Sequence, residues 1–445
     1  MKNLKYICFV IIIVACAFLS ACSKAETSAT VNVPPSNAAT VPTDNLAVNE
    51  TIRFLEDRVK RDPDDFIAFN KLAAEYMQQM RETGDVGYLD LAMKAAKKSL
   101  AILPAEQNKG GLAALARAEF SSHQFVNARD HAMRLLEIDP QKTYVYQLLG
   151  DAHLELGAYE EAKAAFKKMD ELASGQSLSR VGIEQRLSKL AVLHGDIKKA
   201  ESHMRNALRE AEASHAGSAE TIAWCKWQLG EMAMARGDLN AAEQNFNSSL
   251  KTLPGYFAAT EAFGHLTAAR GDLNGAIAIY EKSVAVPEPD PAAAAMLGDL
   301  YMLAGRSEDA DRQYAVFDEI ARADTAKGSL HGRITAMFYA NHDKNTSQAC
   351  EAAAKDYEIR KDIYGADLLA WTCFKAGRLE EAKIAMKDAL RLGTKDAMLF
   401  YHAGMIENAL GNKGEARRFL DLALKTNPAF DLLQADNARN VLDAM

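Results

Sequence analysis

A short pattern of glycine, alanine and aromatic residues recurs along this chain. Its clearest copy consists of Leu229, Gly230, Gly237, Ala242, Phe246 and Pro254. The turn glycine returns at Gly271 and again at Gly305, each time thirty-four residues after the one before. A fixed period of this length indicates stacked repeats that bury their apolar faces against each other, and it argues against a single globular core.

Each repeat is predicted to contain two amphipathic helices joined by a tight turn. Apolar residues recur at intervals of three and four on both sides of the turn glycine, which is the helical period. Glycine can adopt a positive φ and so end the first helix. Five residues later a small side chain lets the second helix approach the first closely. This small residue is alanine at positions 162, 200, 242, 276, 310, 382 and 416.

The order Leu-Gly-x2-Tyr, Gly, Ala, aromatic, Pro over thirty-four residues resembles the tetratricopeptide repeat. The resemblance implies an all-α fold, a right-handed α-solenoid of about ten helix-turn-helix repeats over residues 50–445. We expect one elongated array in which each unit contacts only its neighbours. Units one to ten are expected, in this order, near residues 66–104, 109–140, 143–174, 181–214, 223–254, 257–288, 291–327, 330–361, 363–394 and 397–428, followed by a C-terminal cap helix at 430–444.

Residues 1–21 are predicted to be a lipoprotein signal peptide. Lys2 and Lys5 precede an apolar run of about fourteen residues, which is shorter than the roughly twenty residues of a spanning helix. The run ends in Leu-Ser-Ala-Cys, which resembles the bacterial lipobox, and the resemblance implies that Cys22 becomes the lipidated first residue of the mature chain. Ser23 after it implies sorting to the outer membrane, facing the periplasm. An ordinary signal peptide is the alternative.

Residues 22–49 are interpreted as the lipidated cysteine followed by a disordered tether. Ala, Thr, Ser, Asn and Pro dominate the segment and aromatic residues are missing, so it cannot bury enough apolar surface to fold. A flexible coil of this length reaches roughly 30 Å. A helix at 50–61 is expected to cover the N-terminal end of the solenoid.

The charge of the chain argues against nucleic acid as a partner. The formal net charge is -8, and removal of the two lysines of the signal peptide takes it to -10. Since phosphate backbones are bound mainly by clustered Lys and Arg, an acidic chain is a poor candidate for binding them.

Of the six cysteines, two leave with the signal peptide and Cys22 is predicted to carry lipid. Cys350 is expected to open the second helix of unit eight, and Cys373 lies late in the first helix of unit nine. These helices should run side by side, so the two sulfurs could form a disulfide in an oxidising periplasm. The alternative is that Cys225, Cys350 and Cys373 are all small buried hydrophobic residues.

A search for catalytic motifs favours a protein without enzymatic activity and without a cofactor or metal. The sequence contains neither an H-E-x-x-H pair nor the glycine patterns of hydrolases, phosphate loops or dinucleotide sites. The best remaining candidates for a metal or acid-base site are His331, His342 and Asp343 in unit eight. The alternative places them as ordinary polar residues on an exposed helix face.

In tetratricopeptide arrays the first helix of each unit lines a concave groove that binds protein or peptide partners. Carried over to this chain, the groove positions predict a partner-binding surface formed by Trp224, Trp227, Met234, Phe338, Trp371, Phe374, Tyr401 and Met405. The N-terminal part of the groove is instead polar and contains Asn70, Arg117, Gln147, Asp151 and Lys189. The carboxylate clamp of some family members is not expected, because Asn70 is followed by Ala74 at the next groove position.

Aromatic and Met side chains on one surface suit an apolar peptide or helix. The alternative is that these rings pack against the neighbouring unit or against the helix at 430–444. The resemblance therefore implies a lipoprotein in the cell envelope that is anchored to the bilayer through Cys22 and serves as an interaction scaffold or adaptor in envelope assembly. A structural spacer without a groove ligand remains the alternative.

Overall fold

The computed structural model describes residues 43–173, 177–213, 218–285, 290–327 and 332–445, and this part of the chain is entirely α-helical apart from turns. The helices are α1 Thr43–Arg61, α2 Phe66–Thr83, α3 Gly87–Ile102, α4 Lys109–Ser121, α5 Phe125–Ile138, α6 Thr143–Glu155, α7 Tyr159–Leu172, α8 Ser177–Leu193, α9 Ile197–Ala213, α10 Ala219–Ala235, α11 Leu239–Thr252, α12 Phe257–Ala269, α13 Leu273–Ser283, α14 Pro291–Leu303, α15 Ser307–Lys327, α16 Gly332–Asn341, α17 Thr346–Ile359, α18 Ile363–Lys375, α19 Leu379–Ala389, α20 Ala397–Ala409, α21 Lys413–Thr426 and α22 Gln434–Asp443.

Helices α2 to α21 pack as consecutive antiparallel pairs, one pair for each predicted repeat, and each pair stacks on the next. The all-α solenoid expected from the repeats is confirmed. The motif glycine of the first helix lies against the aromatic ring of the second. A Cβ at Gly230 would come within 2.3 Å of the Phe246 ring, so no larger residue fits there. Gly150 with Phe166 and Gly298 with Tyr314 repeat this contact.

Both ends of the described solenoid differ from the sequence-based expectation. Helix α1 begins at Thr43 and not near residue 50, directly after Pro42, the last proline of the segment interpreted as a tether. Beyond that proline nothing interrupts helical backbone hydrogen bonding. At the other end α22 begins at Gln434 and not at 430, because Asp431 Oδ1 accepts the backbone N–H of Leu433 and of Gln434, each at 2.9 Å. These bonds form a turn ahead of the helix.

The signal peptide, Cys22 and the tether up to residue 42 lie outside the described residues. Among the helices that the structure does describe, none combines the length and the apolar composition needed to cross a bilayer.

The expectation that each unit contacts only its neighbours is wrong. The turn that follows α6 meets the segment that leads into α18. Lys361 N–H donates to the Leu156 carbonyl at 3.2 Å, and Ile363 N–H donates to the Tyr159 hydroxyl at 2.8 Å. Arg360 forms an ion pair with Glu155 at 3.3 Å. Unit three thus packs against the beginning of unit nine.

Two further contacts continue this pattern. Thr394 Oγ1 donates to the Leu193 carbonyl, and Asn427 Nδ2 donates to the Met234 carbonyl at 2.9 Å. Unit four therefore contacts the end of unit nine, and unit five contacts the end of unit ten. The solenoid winds so tightly that the second superhelical turn rests on the first, five to six units further along the chain. An apolar cluster that includes Tyr159 and Ile363 fills the space between the turns.

A disulfide joins Cys350 at the start of α17 to Cys373 in α18, with a Cα–Cα distance of 4.8 Å. Of the two alternatives that the sequence left open for Cys350 and Cys373, the disulfide is the one present. Cys225 is a buried free thiol in α10, whose pKa is raised to about 12 mainly by burial.

Candidate ligand-binding chamber

A cavity of 370 Å³ lies inside the first superhelical turn, and we call it the chamber. Its wall is formed mainly by α2, α4, α6, α8, α10 and α12, which are the first helices of units one to six. Because the first helices of these six pairs face the cavity, residues far apart in sequence converge there. Arg117, Gln147 and Asp151, which the groove positions predicted as polar, all line the chamber.

Arg186 and Asp151 form a saturated ion pair in the wall. Arg186 Nε donates to Asp151 Oδ1 at 2.8 Å, Nη2 donates to Asp151 Oδ2, and Nη1 donates to the Gly182 carbonyl at 2.9 Å. Burial raises the pKa of Asp151, and the positive charge of Arg186 opposes that effect. Fork-shaped pairing of this kind uses both carboxylate oxygens, so neither residue has strong hydrogen-bonding capacity to spare.

Arg81 and Glu220 face each other across the chamber, linking unit one to unit five. Arg81 Nε lies 3.8 Å from Glu220 Oε2, which is an ion pair without a hydrogen bond, and Arg81 also donates to Gln78. Burial raises the pKa of the Glu220 carboxyl although the Arg81 charge lowers it. The pairing of Arg81 is therefore looser than that of Arg186.

Arg117 projects from α4 into the chamber between these two pairs. Among the residues that the structure describes, none forms a hydrogen bond or ion pair with its guanidinium. Burial lowers the pKa of Arg117, the nearby charges of Arg81 and Arg186 lower it further, and only Asp151 opposes them. An arginine offers five N–H donors, so this side chain presents strong unused donor capacity to the cavity.

Aromatic residues also line the chamber. Trp224 and Trp227 are in edge contact with ring centroids 6.4 Å apart, and Tyr256 and Phe257 are in edge contact at 5.5 Å. Trp224 and Phe257 are only partly buried and present ring surface to the chamber. The chamber thus combines cationic and aromatic surfaces.

Only two of the eight predicted groove residues, Trp224 and Trp227, line the chamber. Met234, Phe338, Trp371 and Tyr401 are buried in the interior, and Phe374 and Met405 are partly buried against the same apolar cluster as Trp371. The prediction of an open aromatic groove in the C-terminal units is therefore wrong.

The alternative of packing within the chain is what the structure shows for the C-terminal rings. Trp371 stacks on His402 at 4.1 Å, and its Nε1–H donates to Asn341 Oδ1 at 2.7 Å. Tyr401 packs against Phe430 at 5.4 Å, and its hydroxyl accepts from Asn437 of α22 at 2.7 Å. Neighbouring first helices and the C-terminal segment cover these rings because each is apolar and sits where two units meet.

His342 is part of a buried hydrogen-bonded cluster and is not on an exposed helix face. Its Nε2 lies 2.9 Å from Asp299 Oδ1 and its Nδ1 lies 2.8 Å from the Phe338 carbonyl. Asp343 points elsewhere and pairs with Lys375 at 2.7 Å. His331 lies outside the described residues, within which no three His, Cys, Asp or Glu side chains are placed to hold a metal.

Sequence reasoning missed Arg81, Arg186 and Glu220. A signal was present for Arg186, because opposite charges at Asp151 and Arg186 are thirty-five residues apart, close to one repeat period. The contact of Arg81 with Glu220 had no such signal, since it spans four units and depends on the superhelical winding.

Comparisons with known proteins agree with the repeat architecture. The tetratricopeptide repeat family matches residues 143–175, which contain α6 and α7. No curated protein matches the chain. Among solved structures, a tetratricopeptide repeat protein from Parabacteroides merdae is 15% identical over 60% of this chain and 96% of its own, with a TM-score of 0.39. The human IFIT1 dimer with PPP-AAAA is 13% identical over 85% of this chain and 94% of its own, with a TM-score of 0.41. The chain therefore contains a tetratricopeptide repeat in unit three.

Proposed function

We propose that this protein is a membrane-anchored scaffold that binds a segment of a partner protein in the chamber and works in envelope assembly. Tetratricopeptide folds typically mediate protein interactions and have no enzymatic activity. The observation that carries the proposal is the convergence of six first helices on one cavity with both aromatic and charged walls. No catalytic step and no cofactor is part of the proposal.

The dimensions of the chamber favour a short segment as its ligand. Ligand pockets span roughly 300–1,000 Å³, and the 370 Å³ chamber lies at the lower end of that range. A folded domain cannot enter, whereas a few side chains of an extended or helical segment can. Trp224 and Phe257 provide the ring surface on which an apolar side chain would pack.

Capture from envelope extract tests the scaffold function. The tagged full chain is compared with Trp224→Ala and with the control Ile384→Ala after circular dichroism shows all three folded. Ile384 is 69% exposed and does not line the chamber. We expect a partner, identified by mass spectrometry, to bind the parent and the control and to be lost from Trp224→Ala. A partner retained equally by all three would place binding elsewhere on the surface.

The second candidate function is a structural spacer, and one observation favours it. The predicted groove rings of the C-terminal units pack against other residues of the chain, so the described part of these units has no open aromatic groove. If neither the parent nor the variants capture a partner, the spacer function is supported instead.

Anchoring through Cys22 is part of the proposal and has its own test. The expected acyl chains each contribute about 0.8 kcal/mol per buried CH2, so several chains hold a protein firmly on a bilayer. We expect the parent to partition into the detergent phase and Cys22→Ser to move to the aqueous phase. Fractionation of the envelope should then find the parent in the outer membrane. Unchanged partitioning of Cys22→Ser would contradict lipid anchoring.

A further inference from the structure

The charged groups around the chamber leave one cation without a counterpart. Arg186 is held in fork geometry by Asp151, and Arg81 has Glu220 at 3.8 Å. Arg117 lies near both arginines, and no carboxylate among the described residues pairs with it. Three guanidinium groups thus share two carboxylates, and the surplus positive charge is located at Arg117.

An arrangement of this kind costs stability while the Arg117 guanidinium has no acceptor. A guanidinium that has lost most of its bulk solvent without gaining an acceptor is unfavourable, and two like charges nearby make it more so. A carboxylate entering the chamber would accept two N–H bonds from Arg117 and reduce the repulsion from Arg81 and Arg186. The charges around the chamber therefore favour the binding of an anion next to Arg117.

The other lining residues indicate what carries that anion. Trp224 and Phe257 offer ring surface, and the side-chain amides of Gln147 and Gln185 can bond a peptide backbone. The chain as a whole is acidic, with a formal charge of -8, so it repels a long polyanion at a distance. An isolated carboxylate flanked by apolar side chains can pair with the arginines of the lining and pack against its aromatic rings at the same time.

We infer that the chamber selects an acidic, partly apolar segment of a partner protein, with a Glu or Asp side chain held by Arg117 between Arg81 and Arg186. The inference rests on the proposed function and names the chemistry of the ligand at the same site. It differs from the Lys and Asn carboxylate clamp, which Ala74 makes unexpected, because the anion is held by Arg117 of α4 with the charges of Arg81 and Arg186 nearby.

Peptide binding to the full chain in detergent tests this inference. The probes are a short capped peptide of alternating Leu and Glu and the same peptide with Gln in place of Glu. Tryptophan fluorescence reports occupancy, because two of the three tryptophans line the chamber and Trp371 is buried elsewhere. We expect the Glu peptide to bind the parent about tenfold or more tightly than the Gln peptide, as for a charge-assisted pair.

The variants assign the preference to Arg117. Arg117→Gln should lower the affinity for the Glu peptide by about tenfold and leave the affinity for the Gln peptide unchanged. Arg117→Lys keeps the charge but loses the planar fork of N–H donors, so its affinity for the Glu peptide should lie between those of the parent and Arg117→Gln. Arg205→Gln, on the exposed face of α9, is the matched control and should bind like the parent. Thermal unfolding shows whether each variant is folded. If a variant does not fold, the comparison of the two peptides on the parent still tests the inference.

The outcomes separate the inference from the proposed function. Equal affinity of the two peptides would overturn the inference while leaving a peptide-binding chamber. No binding of either peptide would also overturn it, and the capture experiment with Trp224→Ala would then decide the proposed function by itself. Binding of inorganic phosphate or a poly-adenylate oligonucleotide that depends on Arg117, without binding of the Glu peptide, would overturn it in favour of a phosphate ligand.

Discussion

Pairs of polar residues about one repeat apart connect the first helices of neighbouring units. Asp151 pairs with Arg186, Glu155 pairs with Lys189 at 2.7 Å, and Asp367 holds His402 at 2.8 Å. Each pair spans thirty-four or thirty-five residues and is largely buried. Removal of one partner of a buried pair typically costs about 3–5 kcal/mol. Single side chains therefore determine how adjacent units are held together.

A partly buried carboxyl without such a partner should make stability depend on pH. Loss of solvent on burial raises the pKa of Glu231 from 4.5 to about 7. The folded state then holds a proton that the unfolded state has released, so this residue lowers the free energy of unfolding as the pH rises from about 4.5 towards 7. We predict that Glu231→Gln raises the free energy of unfolding by about 2–3 kcal/mol at pH 8 and by less than about 1 kcal/mol at pH 5.

Denaturant unfolding at the two pH values measures this difference. Glu319→Gln, on the exposed face of α15, is the control and should have little effect at either pH. An equal gain from Glu231→Gln at pH 5 and pH 8 would show that ionisation of Glu231 is not the cause.

Helix α18 packs against α16, α17, α19 and α20. Asp362 caps its N-terminus by accepting from the N–H groups of Tyr364 and Gly365, and Arg333 of α16 holds the same carboxylate at 2.7 Å. Burial by itself would raise the pKa of Asp362, but the charges of Arg333 and Arg360 outweigh it and leave the pKa below its ordinary value. Cys373, later in the helix, is bonded to α17.

Reduction of the disulfide should loosen α17 from α18. The bond closes a loop over a sequence separation of 23 residues, and bonds over loops of this size contribute about 3 kcal/mol. Because repeat arrays do not always unfold in one step, amide hydrogen exchange in these two helices is the suitable measurement. We predict faster exchange there on reduction. The double variant Cys350→Ala, Cys373→Ala should exchange fast with or without reductant.

Mass measurement confirms that the two thiols are reduced before exchange is compared. If exchange in α17 and α18 stays unchanged in the reduced protein, packing alone holds the two helices together and the disulfide adds nothing to their stability.

On the scale of the whole molecule, the contact between superhelical turns separates this protein from an open solenoid. Its closest approach is at Gly157, where a Cβ would lie 2.2 Å from the Lys361 carbonyl oxygen. Gly305 adopts nearly the same φ, 75° against 76°, but no other atom lies within 4 Å of the position of its Cβ. Alanine substitution introduces backbone strain at both glycines but an inter-turn clash only at Gly157, so comparing the two variants isolates the effect of the contact between turns.

We predict that Gly157→Ala destabilises the protein by at least about 2 kcal/mol more than Gly305→Ala. In both variants a residue with a Cβ must adopt a left-handed backbone conformation, which lowers the free energy of unfolding by roughly 1–2 kcal/mol. Only Gly157→Ala also forces the turns apart by a steric clash. Thermal unfolding gives the difference, and hydrogen exchange at residues 360–363 should rise only in Gly157→Ala. Equal effects of the two substitutions would mean that the turns do not rest on each other in solution.

Much of the fold could be predicted because each repeat is specified by residues close in sequence. Gly237 marked a turn, Ala242 a close helix contact and Phe246 the ring that covers Gly230, and all three have these places in the structure. Part of the candidate site followed from the same register, since Arg117, Gln147 and Asp151, like Trp224 and Trp227, were assigned to the groove. The contact between Arg81 and Glu220 could not be predicted in this way, because four units separate the two residues.

The sequence by itself thus determined the helices, their pairing and part of the chamber lining, since these depend on contacts within about one repeat. Only the tertiary structure decided how tightly the solenoid winds. A small rotation between neighbouring units adds up over six units and brings Leu156 to Lys361, and no local pattern encodes that sum. The same winding encloses the chamber and leaves Arg117 facing a cavity without a partner among the described residues.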